Sequence, residues 1–290
     1  MMSFIVLKEI ILRRLNIILL NKLALIMIIF CGSHALADTS QINSAISNDT
    51  LMAILKPYYP LYNQTFKCHG VISGGHTYDD DQKDEFGYCV EIDRQIIVKT
   101  SKGMRLYVMV TGDLKFDGNG DRRLKGHALS GLAGMFILKP NGNRWQIESA
   151  NPDISVGASG YGLHDWKLLK LGPEKLGFVN EHSDLHQGYF ESGLIILLSV
   201  DNSIVESFIN SEFSNAGTGR CGEGNLPACE SIDVKIHSID KSRVVGGYHP
   251  LKLVVNGNID GKTYNNVIYT SYFDVGKGYQ MPENYPLDRW

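Results

Sequence analysis

Two histidines and an aspartate alternate along the polar segment EHSDLH, residues 181–186. On a β-strand, the side-chain period of two would place His182, Asp184 and His186 on one face. Imidazole nitrogens and a carboxylate can hold Zn²⁺ and leave a position for water, which metal-assisted hydrolysis requires. We therefore consider a zinc-dependent hydrolase as one interpretation of the segment. The other interpretation is a loop whose histidines are polar or hydrogen-bonded surface residues.

A second set of potential ligands lies in the segment DGNGD, where Asp117, Asn119 and Asp121 alternate. Alternating side-chain oxygens suit a hard cation, and the segment resembles the opening of calcium-binding loops. The match then fails, because Arg122 takes the usual glycine position and Ala128 stands where glutamate is needed. We expect a polar turn between strands, with calcium binding as the alternative.

The glycine-rich segment GASGYG, residues 157–162, has a superficial similarity to the nucleophile elbow of serine hydrolases. The elbow needs glycine two residues after its serine, whereas Tyr161 stands two residues after Ser159. We therefore expect a glycine-rich turn here. The sequence indicates no catalytic residue.

Four cysteines follow the N-terminal region: Cys68, Cys89, Cys221 and Cys229. An even count in an exported protein indicates disulfides, and four cysteines allow three pairings. We predict Cys68–Cys89 and Cys221–Cys229, because each pair is close in sequence and encloses turn-forming residues. A structural zinc site is the alternative, but it would favour C-x-x-C spacing, which this sequence lacks.

Residues 1–37 have the features of a secretory signal. Lys22 precedes an apolar run that ends at Cys31, and Ala35 and Ala37 fit the small-residue pattern before a cleavage site. A membrane anchor is the alternative, but a spanning helix needs about 20 apolar residues, roughly twice this run. We predict cleavage after residue 37, no stable membrane span afterwards, and a periplasmic or secreted protein.

Cleavage would also change the charge of the chain. The full sequence has 28 basic and 31 acidic residues, and removal of residues 1–37 leaves 24 and 30, a net charge of −6 with histidine neutral. Because nucleic-acid binding normally needs a basic surface, this balance disfavours it. The remaining 253 residues can bury a core of their own without a cofactor.

Short β-branched or aromatic runs, bounded by glycine, proline, asparagine or aspartate, predict strands over much of the chain. They are Arg105–Thr111, Gly134–Leu138, Leu194–Val200 and Val267–Phe273, together with the alternating residues Ile232, Val234 and Ile236. A short helix is predicted at Thr50–Leu55, capped by Asn48 or Asp49. We therefore predict a mainly β fold, with antiparallel sheets packed as a sandwich or barrel and one short N-terminal helix.

A weak internal similarity raises the question of two related halves. The segment CVEID, which begins at Cys89, leads to a strand ending in Gly112, and CESID, which begins at Cys229, leads to one ending in Gly257. Duplication would give residues 38–290 two halves with a boundary near 215–220, and chance similarity between β-hairpins is the alternative.

Export, acidic charge, predicted disulfides and the lack of a catalytic set favour binding over catalysis. We expect a periplasmic β protein that binds a protein partner, as an inhibitor or immunity-type protein does. The alternatives are a carbohydrate-binding envelope protein and the metal-dependent hydrolase built on His182, Asp184 and His186.

Overall fold

The computed structural model describes residues 46–75, 84–222 and 224–288. The predicted signal, residues 1–37, lies outside the described residues. Within them, no helix is long and apolar enough to cross a membrane. The secondary structure consists almost entirely of antiparallel strands, with one short α-helix near the N-terminus, which confirms the predicted fold class.

The helix α1 spans Asn48–Leu55 and begins two residues earlier than predicted. Its cap is Ser47 rather than Asn48 or Asp49, because the Ser47 side chain accepts a hydrogen bond from the Thr50 backbone N–H at 3.2 Å. Two turns are enough to bury Leu51 and Leu55 completely against the first sheet.

Consecutive antiparallel pairing of six strands forms the first sheet. The strands are β1 (Leu61–Asn63), β2 (Cys68–Gly75), β3 (Asp84–Thr100), β4 (Gly103–Phe116), β5 (Gly131–Asn141) and β6 (Arg144–Val156). The Asn141-Gly142 pair, a sequence that favours the positive φ angles of a tight hairpin turn, joins β5 to β6. Gly142 has a φ of +59°, and Asn141 pairs with Arg144.

The second sheet continues the same up-and-down order with seven strands. They are β7 (Lys167–Lys170), β8 (Leu176–His186), β9 (Tyr189–Val200), β10 (Ser203–Ser214), β11 (Ser231–Ile239), β12 (Leu251–Ile259) and β13 (Lys262–Ser271). A small hairpin follows, with strands β14 (Phe273–Asp274) and β15 (Gly278–Tyr279).

The two sheets pack face to face through an apolar cluster. Alternate residues of each sheet enter it, and Trp166, from the connection between the sheets, is fully buried there. The main contributors are Tyr107, Met109, Met135, Ile137, Phe178, Ile195 and Leu197. This packing is that of a β-sandwich.

The central strands also bury the residues that point away from the cluster between the sheets. These residues lie on the outer faces of the two sheets. In the first sheet, Leu106 and Val108 pack beneath α1. In the second sheet, Ile196 and Leu198 join a cluster that the C-terminal segment covers with Tyr279, Tyr285 and Leu287. The central strands are therefore buried on both faces, which explains their continuous apolar runs.

At one end of the second sheet, the segment after β7 contacts the segment before β12. There the His249 backbone N–H donates to the Leu171 carbonyl oxygen at 2.7 Å. Tyr248 lies beneath this contact, with its hydroxyl bonded to the Ser199 carbonyl oxygen at 2.5 Å. Leu171 and Tyr248 belong to the apolar cluster that the C-terminal segment covers.

Both predicted disulfides are confirmed, and with the expected pairing. Cys68–Cys89 links the neighbouring strands β2 and β3, and Cys221–Cys229 closes the loop before β11. Each bridge joins segments that are already close, so it restricts the unfolded chain without shaping a distant part of the fold.

The chain passes from one sheet to the other between β6 and β7, at residues 157–166. Residues 215–220, where the boundary between two halves is predicted, lie between β10 and β11, which pair with each other in the second sheet. Duplication into two related halves stays a prediction.

We expect Leu197→Ala to lower the free energy of unfolding by about 2–5 kcal/mol, because Leu197 is fully buried between the sheets. Chemical denaturation of the oxidised protein measures the loss. Leu226→Ala is the matched control, since Leu226 is 48% exposed, and its effect should stay within about 0.5 kcal/mol. Equal losses in the two variants would contradict the burial of Leu197.

Candidate functional site

The predicted histidine segment forms the last part of β8, so His182, Asp184 and His186 do alternate along one strand. His182 is half-buried, and its Nδ1 accepts the Gly157 backbone N–H at 3.0 Å. Burial lowers the pKa of His182 and the nearby charge of Asp184 opposes this, with a lowered pKa as the net result. The lowered pKa and the hydrogen bond accepted by Nδ1 both favour the neutral form of the His182 ring.

A third histidine, distant in the sequence, lies beside Asp184. His127, in the connection between β4 and β5, places its Nε2 2.9 Å from the Leu185 carbonyl oxygen and its Nδ1 3.7 Å from Asp184 Oδ1. Its ring centroid is 6.3 Å from that of His186. Sequence reasoning missed His127, because no local pattern connects a loop of the first sheet to β8.

Glu191 is the directly opposite neighbour of Asp184 on β9, and Tyr189 is opposite His186. These four residues line an open depression of about 420 Å³. Across the described part of the chain, no three His, Cys, Asp or Glu side chains are grouped so that they could hold a metal ion.

The second predicted ligand set, Asp117, Asn119 and Asp121, lies in a turn after β4. Asp117 Oδ1 accepts the backbone N–H groups of Asn119 at 2.9 Å and of Asp121 at 3.0 Å. The oxygen that would begin a calcium loop thus holds the turn together.

The glycine-rich segment 157–162 begins the connection between the sheets and packs against β4 and β5. The Leu114 backbone N–H donates to the Gly160 carbonyl oxygen at 2.8 Å. A Cβ on Gly131 would lie only 2.1 Å from the backbone nitrogen of Gly162, so glycine is needed for this approach. The segment is a packed turn that joins the two layers.

Two carboxylates of the first sheet hold this connection. Asp93 accepts the backbone N–H groups of Asp165 at 2.9 Å and of Trp166 at 3.1 Å, and its side chain is only 6% exposed. Asp113 accepts the Gly162 N–H at 3.1 Å. The entry of the chain into the second sheet therefore depends on acidic side chains of the first.

Asp113 is also surrounded by cations. Its Oδ2 lies 3.0 Å from Lys115 Nζ and 3.7 Å from Lys125 Nζ. Burial raises the pKa of Asp113, but the hydrogen bonds from Lys115 and Gly162 and the charges of both lysines outweigh that effect. The net result is a lowered pKa.

A cleft of about 450 Å³ opens between the β3–β4 turn, the β9–β10 turn and residues 174–176. Arg105 and Glu148 form a two-pronged ion pair in its wall, with Nε–Oε2 and Nη2–Oε1 distances of 2.5 and 2.9 Å. Glu174 accepts the Ser101 backbone N–H at 3.0 Å. The cleft presents both charges above the buried Tyr107 and Tyr248, which suits a small polar ligand.

β13 forms one side edge of the second sheet. It pairs with β12, and no strand among residues 46–75, 84–222 and 224–288 pairs with its other side. Lys262 is its sole charged residue, and Val267 and Ile268 are 38% and 47% exposed. An irregularity at Asn265 and Asn266 divides the strand, so Val267–Ser271 is its longest regular part.

The chain matches no protein-family model, no curated protein and no solved structure in the comparisons made.

We expect the stability difference between the parent and Asp113→Asn to depend on pH. Because the pKa of Asp113 is lowered in the folded state, its stabilising effect is present above the unfolded pKa of about 3.9. This effect is lost as the pH falls through the folded pKa. Urea denaturation at pH 7, 5, 3 and 2 should therefore show the parent more stable at pH 7 and the difference shrinking below pH 4. A difference as large at pH 2 as at pH 7 would contradict this origin.

Proposed function

We propose that this chain is an exported protein that binds a protein partner, as inhibitor or immunity-type proteins do, and that an extended segment of the partner pairs with β13. The observation that carries the proposal is the unpaired edge of β13, as seen within the described ranges. The unpaired N–H and C=O groups of such an edge bind an extended peptide by adding a strand to the sheet.

The composition of β13 supports this role. Proteins usually protect edge strands with charges, proline or very short length, because an exposed edge promotes aggregation. β13 has ten residues and contains no proline, and its one charge, on Lys262, stands at its first position. The Asn265–Asn266 irregularity interrupts the edge near its middle and leaves Val267–Ser271 as the segment open to pairing.

The exposed side chains of β13 provide contacts beyond the backbone. Ile268 lies opposite Val254 of β12 and shares its face, which is the face turned away from the buried cluster of the second sheet. Val267 lies opposite the buried Val255 and is itself 38% exposed at the edge. A partner strand with apolar residues at two successive positions, one on each face of the sheet, would contact both side chains.

We propose that this binding takes place after export, in the periplasm or outside the cell. Two disulfides favour an oxidising compartment, and the sequence of residues 1–37 favours delivery to the periplasm or beyond. The acidic balance of residues 38–290 favours a protein partner over nucleic acid.

We expect Ile268→Lys to weaken binding of the partner at least about tenfold, because it puts a charge where the added strand would pack. The partner is first captured by cross-linking in the periplasm and identified by mass spectrometry. Its affinity for the purified parent and variants is then measured.

Tyr62→Lys is the matched control. Tyr62 also lies on an outermost strand, β1, and is 49% exposed against 47% for Ile268. Unchanged affinity in Ile268→Lys, or a loss in Tyr62→Lys alone, would reject β13 as the binding edge. Repeated failure to capture any protein would reject the proposal itself.

The cleft beside Arg105 and Glu148 favours carbohydrate as a second candidate ligand. A hydroxyl-rich ligand matches a wall that offers charged donors and acceptors, including Glu174, Asp201 and Asn202. Retention of envelope glycan by the oxidised protein, without a protein partner, would support this candidate over the first.

A further inference from the structure

The contact between His127 and Asp184 has an unusual charge arrangement. His127 Nε2 lies 2.9 Å from the Leu185 carbonyl oxygen, which can only accept, so this nitrogen carries a hydrogen. A neutral ring then has its lone pair on Nδ1, and that atom faces Asp184 Oδ1 at 3.7 Å. A lone pair facing a carboxylate is unfavourable unless a positive charge lies between them.

The separation of the two atoms also fits a shared metal ion. At 3.7 Å it exceeds the length of an ordinary hydrogen bond. Ligand atoms on a tetrahedral Zn²⁺, with bonds of about 2.0–2.2 Å, lie about 3.4 Å apart. The Nε2–H contact to a backbone carbonyl is the second contact that metal-bound histidines commonly make, since it fixes the ring and its tautomer. Asp184 Oδ1 also accepts the Leu185 N–H at 2.9 Å, which fixes the carboxylate.

Two further donors lie around this pair. Glu191 is directly opposite Asp184 on the neighbouring strand, a pairing of like charges that destabilises a sheet unless a cation offsets it. His186 lies one position along the same face of β8, with its ring nearly perpendicular to that of His127. The side chains of His186 and Glu191 are exposed and can rotate towards the pair.

We propose that His127 and Asp184 form the fixed half of a zinc site, which His186 and Glu191 complete by side-chain rotation. Two imidazoles and two carboxylates suit Zn²⁺, which accepts nitrogen and oxygen ligands in tetrahedral geometry. A bound ion cross-links the β4–β5 connection of the first sheet to β8 and β9 of the second. This site lies away from β13 and does not depend on the protein-binding proposal.

His182 is not a ligand in this site, although it shares the face of β8 with Asp184 and His186. Its Nδ1 already accepts the Gly157 N–H, so the neutral ring carries its hydrogen on Nε2 and has no lone pair left for a metal. Its role is to hold the connection between the sheets. The zinc site therefore replaces His182 of the sequence-based set with His127.

The test is Zn²⁺ binding by the exported, oxidised protein, purified without a histidine tag and stripped with a chelator. Calorimetry and elemental analysis should show one Zn²⁺ per chain. His127→Ala and Asp184→Asn should each weaken binding at least about tenfold. His182→Asn, which keeps an acceptor for the Gly157 N–H, should bind within about twofold of the parent. Near-UV circular dichroism verifies the fold of each variant.

Each remaining outcome overturns the proposal in a defined way. Absence of stoichiometric Zn²⁺ in the parent would reject the zinc site. Loss of binding in His182→Asn with full binding in His127→Ala would restore His182, Asp184 and His186 as the ligand set.

Discussion

Burial of the central strands on both faces is the constraint on which the rest of the structure depends. Residues of β4 and β9 alternate between the cluster that joins the sheets and a second cluster on the outer face. Each outer face is therefore apolar and must be covered as well. The helix α1 covers the first sheet, and the segment ending with Tyr285 and Leu287 covers the second. Both ends of the described chain thus belong to the core of the fold.

The packing of the two sheets also determines which polar side chains bind the connection between them. Residues 157–166 approach the first sheet closely, and Asp93 and Asp113 bind their backbone N–H groups. The same connection supplies the Gly157 N–H to His182. Packing of the two sheets therefore engages His182 of β8 in a hydrogen bond to the connection. It also brings His127, from the first sheet, next to Asp184.

The up-and-down order of the strands determines where the molecule can meet other molecules. Because consecutive strands pair, each sheet ends in edge strands, and among the described residues no strand pairs with the outer side of β13. Asp184, His186 and Glu191 lie on β8 and β9, and three strands separate β9 from β13 in the same sheet. We infer that partner binding at the edge and metal binding at β8 can act independently of each other.

The sequence by itself determined the fold class, the main strands, the hairpin at Asn141 and Gly142 and both disulfides, because each depends on residues close together in the chain. Alternation on β8 was likewise visible, since a strand places every second residue on one face. Tertiary structure alone decided that His182 accepts a hydrogen bond from Gly157 and that His127 lies beside Asp184. It also decided that the chain changes sheets at residues 157–166. These features arise where segments distant in sequence pack together, and no local pattern of residue types specifies such contacts.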